Sequence, residues 1–366
     1  MPLLEQGQII RDTYEVERFL GQGAFAEVYR VKHRFLGRQA MKVFKRVGMS
    51  LQEIHDTLGE AILLSRIGHP NIVRVFDANV FDTANGTCGY FTMENVPGGS
   101  LDKFWRSFDA SFIPVETAVD LVKQVCRGLA QAHQESPPII HRDIKPQNIL
   151  VGYEPDGLRA RVSDFGLAKK VNPLTLLATA AGTLQFKPPE AFAHRKGDSP
   201  AADVWGIGVT LYLLLTDRLP VPMPDGTNWD TKHLFDKPIT PPTEVNPVIS
   251  KDLERVVMRA LDKSPHNRFP TARELLHALN TARLHDQPGP SPRKSGTSEP
   301  TKAVLGNPSP MDSSQARASV EKALDARRAG RLGEAADLME EAFNKSPELR
   351  HKYAHQVKLW RCGISM

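Results

Sequence analysis

Three stretches of this chain carry residue types that handle phosphate. The first is Gly21-Gln22-Gly23-Ala24-Phe25-Ala26-Glu27-Val28. Glycines lack a Cβ, so backbone amides there can approach phosphate oxygens closely. A dinucleotide fingerprint would need a helix next, whereas Glu27-Val28-Tyr29-Arg30-Val31 reads as a strand. A glycine-rich hairpin folding over a nucleotide fits better, although standing alone it reads as a plain β-turn. The second is Lys42, a single charge in the apolar run Ala40-Met41-Lys42-Val43. It is either an exposed edge-strand lysine or a cation aimed at phosphate by an acidic partner. Glu60, which opens the helical run Glu60-Ala61-Ile62-Leu63-Leu64, is the candidate partner. The third is His141-Arg142-Asp143-Ile144-Lys145-Pro146-Gln147-Asn148, followed by Asp164-Phe165-Gly166.

These residues need a frame. Tyr14 to Leu20, Glu27 to His33 and Gln39 to Phe44 are short β-prone runs between glycine-containing turns. After Pro114 the helical period takes over, with Ala118, Leu121, Val122, Val125 and Leu129 on one stripe. Strands first and helices later predict an α+β fold, with a small sheet lobe, a larger helical lobe and a ligand cleft between them. Hydrophobic residues at 40% and charged residues at 24% are enough to fill a globular core. A net charge of +5 over 366 residues is too diffuse to argue for nucleic acid. Cys88, Cys126 and Cys362 are odd in number and far apart, which excludes a disulfide framework and predicts a reducing, cytoplasmic setting. The opening Met1-Pro2-Leu3-Leu4-Glu5 has no basic region and no long apolar run, so no secretory leader is expected. Val204 to Leu215 is too short to span a bilayer and reads as a buried helix, so no membrane anchor is expected.

Together the motifs resemble the eukaryotic-type serine/threonine protein kinase family. They continue in the family's order with Gly182-Thr183-Leu184-Gln185-Phe186-Lys187-Pro188-Pro189-Glu190, Asp203-Val204-Trp205-Gly206-Ile207-Gly208 and Arg268. The resemblance implies a two-lobed kinase domain over residues 14–284 and transfer of phosphate from ATP to Ser/Thr hydroxyls of proteins. By resemblance, Asp143 takes or orients the substrate proton, and Lys145 neutralises the γ-phosphate. Lys42, held by Glu60, contacts the α- and β-phosphates. Asn148 and Asp164 hold Mg²⁺ through hard oxygens. Leu20, Gly21, Gln22, Gly23, Ala24, Phe25, Ala26, Glu27, Val28, Ala40 and Leu150 enclose the nucleotide. Met93 is the gatekeeper, and Glu94-Asn95-Val96 is the hinge. Thr183 stands where serine/threonine members bond the catalytic Asp and Lys. Gln147 and Ser100 stand where basophilic members often carry acids, so no strong preference for upstream arginine is expected.

The resemblance also implies activation by autophosphorylation at Thr179, with Thr175 second, the phosphate being anchored by Arg142 and Lys169. Glu190 and Arg268 match the pair that ties the activation segment to the helical lobe, and Asp203 the residue that supports the catalytic loop. Ala26, Phe186 and Pro188 depart from the usual residues without touching a catalytic role. Residues 285–314 read as a disordered linker: the stretch from Gln287 to Ser314 holds six Pro, six Ser and three Gly. Residues 315–366 read as helical. Ala323, Ala326, Gly330, Ala335, Leu338 and Ala342 resemble one tetratricopeptide unit, and the alternative is an amphipathic helical hairpin that packs on the kinase or dimerises. A protein partner or self-association through these helices is the expected use. Two competing functions are a pseudokinase scaffold and a small-molecule kinase. The first would lack equivalents of Lys42, Asp143, Asn148 or Asp164, and the second would lack the Gly-Thr…Pro-Glu segment.

Overall fold

Alternation of apolar and polar side chains turns the first third of the chain into a sheet. In a computed structural model, the described residues are 2–23, 26–45, 58–59, 67–83, 86–108, 112–154, 157–165, 184–192, 199–221, 235–286, 310–345, 349, 353, 356–357 and 360. The chain divides into two compact units, Met1–Asp102 with Phe112–Leu284, and Lys103–Ser111 with His285–Met366. In the first unit, β1 (Ile9–Ile10), β2 (Tyr14–Gln22), β3 (Ala26–His33), β4 (Gly37–Phe44), β5 (Val75–Thr83) and β6 (Gly86–Glu94) form an antiparallel sheet in the order β1-β2-β3-β4-β6-β5.

The period of two divides this sheet into faces. Tyr29, Val31, Met41 and Val43 point into one core with Leu4, Ile10, Tyr14 and Tyr90. Ala26, Ala40 and Phe44 point the other way, with Leu58, Val73, Phe91 and Met93. Lys42 shares this second face. It lies on β4, a central strand paired with β3 and β6, and is only 5% exposed, so it is not an edge-strand lysine. The first core also takes in Leu4 and Ile10, which precede β2.

After α1 (Leu101–Arg106), at which the first stretch of this unit ends, the larger lobe holds α2 (Val115–His133), the hairpin β7 (Ile149–Glu154) and β8 (Gly157–Val162), α3 (Pro189–Phe192), α4 (Pro200–Thr216), α5 (Pro242–Val245), α6 (Lys251–Ala260) and α7 (Ala272–Thr281). The stripe read from the sequence is the buried face of α2. Helix α4 is buried on all sides, which explains its apolar run. Ser250 caps α6, and Thr271 with Glu274 forms a capping box on α7. Among the described residues, no helix is long and apolar enough to cross a membrane.

Gly206 sets how closely α4 approaches the loop that follows His141. A Cβ there would lie 2.9 Å from both the Cβ and the carbonyl oxygen of Ile144. Gly206→Ala is therefore expected to destabilise the fold by about 1–3 kcal/mol through overpacking. Urea unfolding checks this against Gly333→Ala, where an added Cβ meets nothing within 4 Å.

The second unit contains α8 (Pro310–Arg328) and α9 (Leu332–Lys345). Its core joins Ala323, Ala326, Ala335, Ala336, Met339, Ala342 and Phe343 to Val357 and Trp360. Gly330 takes φ 77° at the turn, and Arg331 N–H closes on the Ala326 carbonyl at 2.9 Å. Helix α8 begins at Pro310, inside the stretch expected to be linker. Proline at the first helical position loses no intrahelical bond, so a Pro/Ser composition does not exclude a helix start.

Candidate active site

The loop around Asp143 is built on one buried carboxylate. Asp203, near the start of α4 and 1% exposed, accepts the His141 amide at 2.8 Å and the Arg142 amide at 2.7 Å. His133, at the end of α2, sits 3.0 Å from the same carboxylate. Its Nδ1 accepts the Ala272 amide, so Nε2 is the donor to Asp203. These bonds hold Arg142 at φ 69°, a left-handed conformation that costs a non-glycine residue about 1 kcal/mol.

His141 links this loop to the residue before Asp164. Its Nδ1 accepts the Asp143 amide at 3.2 Å, so Nε2 donates to the Ser163 carbonyl at 2.7 Å. Phe165 covers the imidazole, with ring centroids 4.6 Å apart. Burial pushes the His141 imidazole below the ordinary 6.5, against the upward pull of Asp203. A histidine whose folded value is depressed contributes stability that is whole above pH 6.5 and is lost as pH falls through the folded value. The urea midpoint is therefore expected to drop on acidification below pH 6.5, and to drop less in His141→Gln.

Among the described residues, Lys145, Asn148 and Lys187 bring side-chain nitrogens to Asp143. Lys145 Nζ lies 2.8 Å from Oδ2, and Asn148 Nδ2 donates to Oδ2 at 3.0 Å and to the Asp143 carbonyl at 2.8 Å. Lys187 Nζ donates to Oδ1 at 3.1 Å. Burial raises the Asp143 carboxyl, but Lys187 and Lys145 outweigh it and hold the group below its ordinary 3.8. The β7–β8 register pairs Ile149 with Val162, and Ser163 donates its amide and hydroxyl to the Asn148 carbonyl. That pairing brings Asn148 beside the Ser163-Asp164 corner, where Asp164 is left-handed at φ 61°.

Lys42 reaches across to this corner. Its Nζ lies 2.6 Å from Asp164 Oδ1 and over the Phe91 ring at 5.7 Å. Glu60, the expected partner, lies outside the described residues, as do Ala24, Phe25, Lys169, Thr175, Thr179 and Thr183.

The residues read as a nucleotide wall do converge. Leu20, Val28, Ala40, Met93 and Leu150 all belong to one apolar cluster, and Ala40 is the register partner of Met93. Gly21 pairs with Val28 and Gln22 with Glu27, so the glycine-rich stretch is the tip of the β2–β3 hairpin. Gly23 closes it, donating to the Ala26 carbonyl at 2.8 Å. Val96 lies against β7, where a Cβ on Gly152 would come within 3.3 Å of Val96 Cγ1. Glu94 is tied by its amide to the Arg74 carbonyl and by its carboxylate to Arg161 at 3.1 Å.

Three polar contacts at this site have no counterpart in the sequence motifs. Lys187 on Asp143 is one, and Arg161 on Glu94 is another. The third is Asp102, whose carboxylate accepts the Gln147 amide at 3.0 Å and puts an acid beside a position read as neutral. The expected anchor is present: Arg268 and Glu190 make two bonds of 2.7 Å.

Comparison with known proteins agrees with this geometry. The family described as the protein kinase domain matches residues 14–279. The probable serine/threonine-protein kinase CPE1738 of Clostridium perfringens is 32% identical over 277 residues, covering 75% of this chain and 38% of that protein. Serine/threonine-protein kinase PknB of Mycobacterium tuberculosis is 32% identical over 293 residues, covering 78% of this chain and 45% of that protein. This chain thus spans less than half the length of either relative. The crystal structure of the M. tuberculosis PknI kinase domain superposes with a TM-score of 0.57 at 26% identity, covering 76% of this chain and 98% of that one. With the family's match extending from the first long strand to the last helix of the larger lobe, the chain belongs to the protein kinase domain family.

Proposed function

We propose that this protein transfers the γ-phosphoryl group of ATP to serine or threonine hydroxyls of protein substrates, with Mg²⁺ as the metal. The observation that carries the reading is the linked pair of ion pairs, Lys145–Asp143 and Lys42–Asp164, joined through Asn148, His141 and Ser163. The donor set fits a hard cation. Asn148 spends its amide hydrogens on Asp143, which leaves the amide oxygen as a ligand beside the Asp164 carboxylate. Bound there, Mg²⁺ would neutralise the nucleotide phosphates.

The chain's own residues supply the rest. Leu20, Val28, Ala40, Met93 and Leu150 offer the adenine an apolar slot, and the hinge Glu94–Val96 borders it. Lys42 offers a cation to the α- and β-phosphates, and Lys145 one to the γ-phosphate. Asp143 hydrogen-bonds the attacking hydroxyl and accepts its proton as the new O–P bond forms and the bond to the leaving ADP oxygen breaks. Glu60 as the partner of Lys42, Thr183 as a substrate-loop residue, and autophosphorylation at Thr179 or Thr175 belong to the same proposal. So do a cytoplasmic setting and a tetratricopeptide-like role for α8 and α9 in binding a protein partner or a second copy. The buried alanines of that hairpin support close helix packing. The test is transfer of labelled phosphate from Mg-ATP to a generic Ser/Thr-containing protein, with wild type set against Asp143→Asn. Equal signals would overturn the proposal.

A further inference from the structure

Lys187 lies between the Leu184 turn and the Pro188-Pro189-Glu190 corner, outside every role assigned above. Its amide donates to the Leu184 carbonyl at 3.1 Å. The two prolines that follow fix their own φ angles, and Glu190 is held by Arg268. The backbone carrying Lys187 is therefore braced on both sides. Its ammonium makes two bonds, 2.7 Å to the Arg142 carbonyl and 3.1 Å to Asp143 Oδ1, and the side chain is 14% exposed.

The pairing has a consequence for the reacting carboxylate. A carboxylate offers about four lone-pair sites. Among the described residues, Lys145 and Asn148 take Oδ2 and Lys187 takes Oδ1. No described residue takes the remaining lone pair of Oδ1, which faces an incoming hydroxyl in this reading. Without Lys187, no described residue puts a cation on that oxygen, and the described partners hold the carboxylate from one side only. The second bond, to the Arg142 carbonyl, ties the same ammonium to the left-handed residue that immediately precedes Asp143.

We infer that Lys187 is a positioning residue for phosphoryl transfer, clamping the Asp143 carboxylate to the Arg142 carbonyl so that one lone pair faces the substrate hydroxyl. The inference rests on the proposed role of Asp143 and deepens it. It makes Lys187 matter to the rate of the bound complex rather than to nucleotide binding, since its contacts are to Asp143 and Arg142 and not to the apolar slot.

Steady-state kinetics of the full chain, with ATP and a generic protein substrate, tests it in Lys187→Met and Lys187→Arg. Methionine keeps the length of the side chain without its donors, whereas arginine keeps donors for both acceptors. For Lys187→Met, kcat is expected to fall by about tenfold to a hundredfold, as for a misplaced reacting group, with KM for ATP unchanged within about twofold. Lys187→Arg is expected to recover most of the loss. The active fraction, titrated with a fluorescent ATP analogue, corrects kcat for any misfolded protein. A Lys187→Met enzyme as fast as wild type would overturn the inference. A faster one would also overturn it, by making Lys187 a restraint. Equal losses in both variants would assign the effect to packing and overturn it too. In each of these cases Asp143→Asn stays inactive, so the reading of Asp143 survives. An Asp143→Asn enzyme as active as wild type would overturn both.

Discussion

Replacing Asp143 with asparagine is expected to lower kcat for phosphoryl transfer by about 10²- to 10⁴-fold, the usual contribution of a general base. The substitution keeps size and shape, so His141 can still accept the residue's amide, which is main chain. What it removes is the charge and the proton acceptor. Lys145 and Lys187 then face a neutral amide, and the attacking hydroxyl has no group to take its proton. Nucleotide affinity should change little, because Leu20, Val28, Ala40, Met93 and Leu150 form the wall without Asp143. The signature is a collapse of kcat at nearly constant KM for ATP. A variant that instead loses ATP binding and keeps its rate would place Asp143 in the nucleotide slot and not at the transferred group.

The site was legible where chemistry dictates residue type. Phosphate contact calls for glycine, lysine and hard oxygens, so Gly21, Lys42, Asp143, Asn148 and Asp164 stand out as residue types, while their roles come from the family resemblance. The apolar wall was legible only through family resemblance, because Val28, Ala40 and Leu150 look like any strand residues until β3, β4 and β7 bring them together. Lys187 was not legible. Its lysine sits in Phe186-Lys187-Pro188 among departures from the usual pattern, and its contact with Asp143 spans 44 residues. No local period reports such a contact. The same holds for the ion pair of Lys42 with Asp164, 122 residues apart. The fold class followed from periodicity, yet Leu4 and Ile10 escaped it. They enter the small-lobe core from a segment too short to show a repeat, with β1 only two residues long. At the other end, α8 begins at Pro310, inside the stretch that composition reads as linker, because the first turn of a helix tolerates the proline that argued against one.

Removing the Arg268 guanidinium is expected to cost more stability than the Gly206 change does, about 3–5 kcal/mol for Arg268→Met. The side chain is fully buried, and its donors are all in use. Two go to Glu190 at 2.7 Å, one to the Asp262 carbonyl at 2.7 Å, and others to the Ala201 and Lys263 carbonyls at 3.1 and 3.2 Å. The guanidinium also lies 5.0 Å from the centre of the Trp205 ring. Methionine fills much of the volume but leaves the partly buried Glu190 carboxylate and three carbonyls without their donor, and the unpaired charge dominates that cost. Lysine should rescue little, since one ammonium cannot reproduce a planar fork that meets both Glu190 oxygens and the carbonyls. Glu190→Gln should cost less, because an amide oxygen can still accept. Combining it with Arg268→Met should restore part of the loss, because no charge is then left unpaired. Urea unfolding of the four proteins measures this coupling, and additive losses would show that the pair acts only through packing. The anchor also bears on chemistry. Glu190 closes the segment that carries Lys187, so Arg268→Met should lower phosphoryl transfer at temperatures where the fold persists. If the rate per folded molecule stayed at the wild-type level, the anchor would be shown to hold the lobe together without holding Lys187 on Asp143.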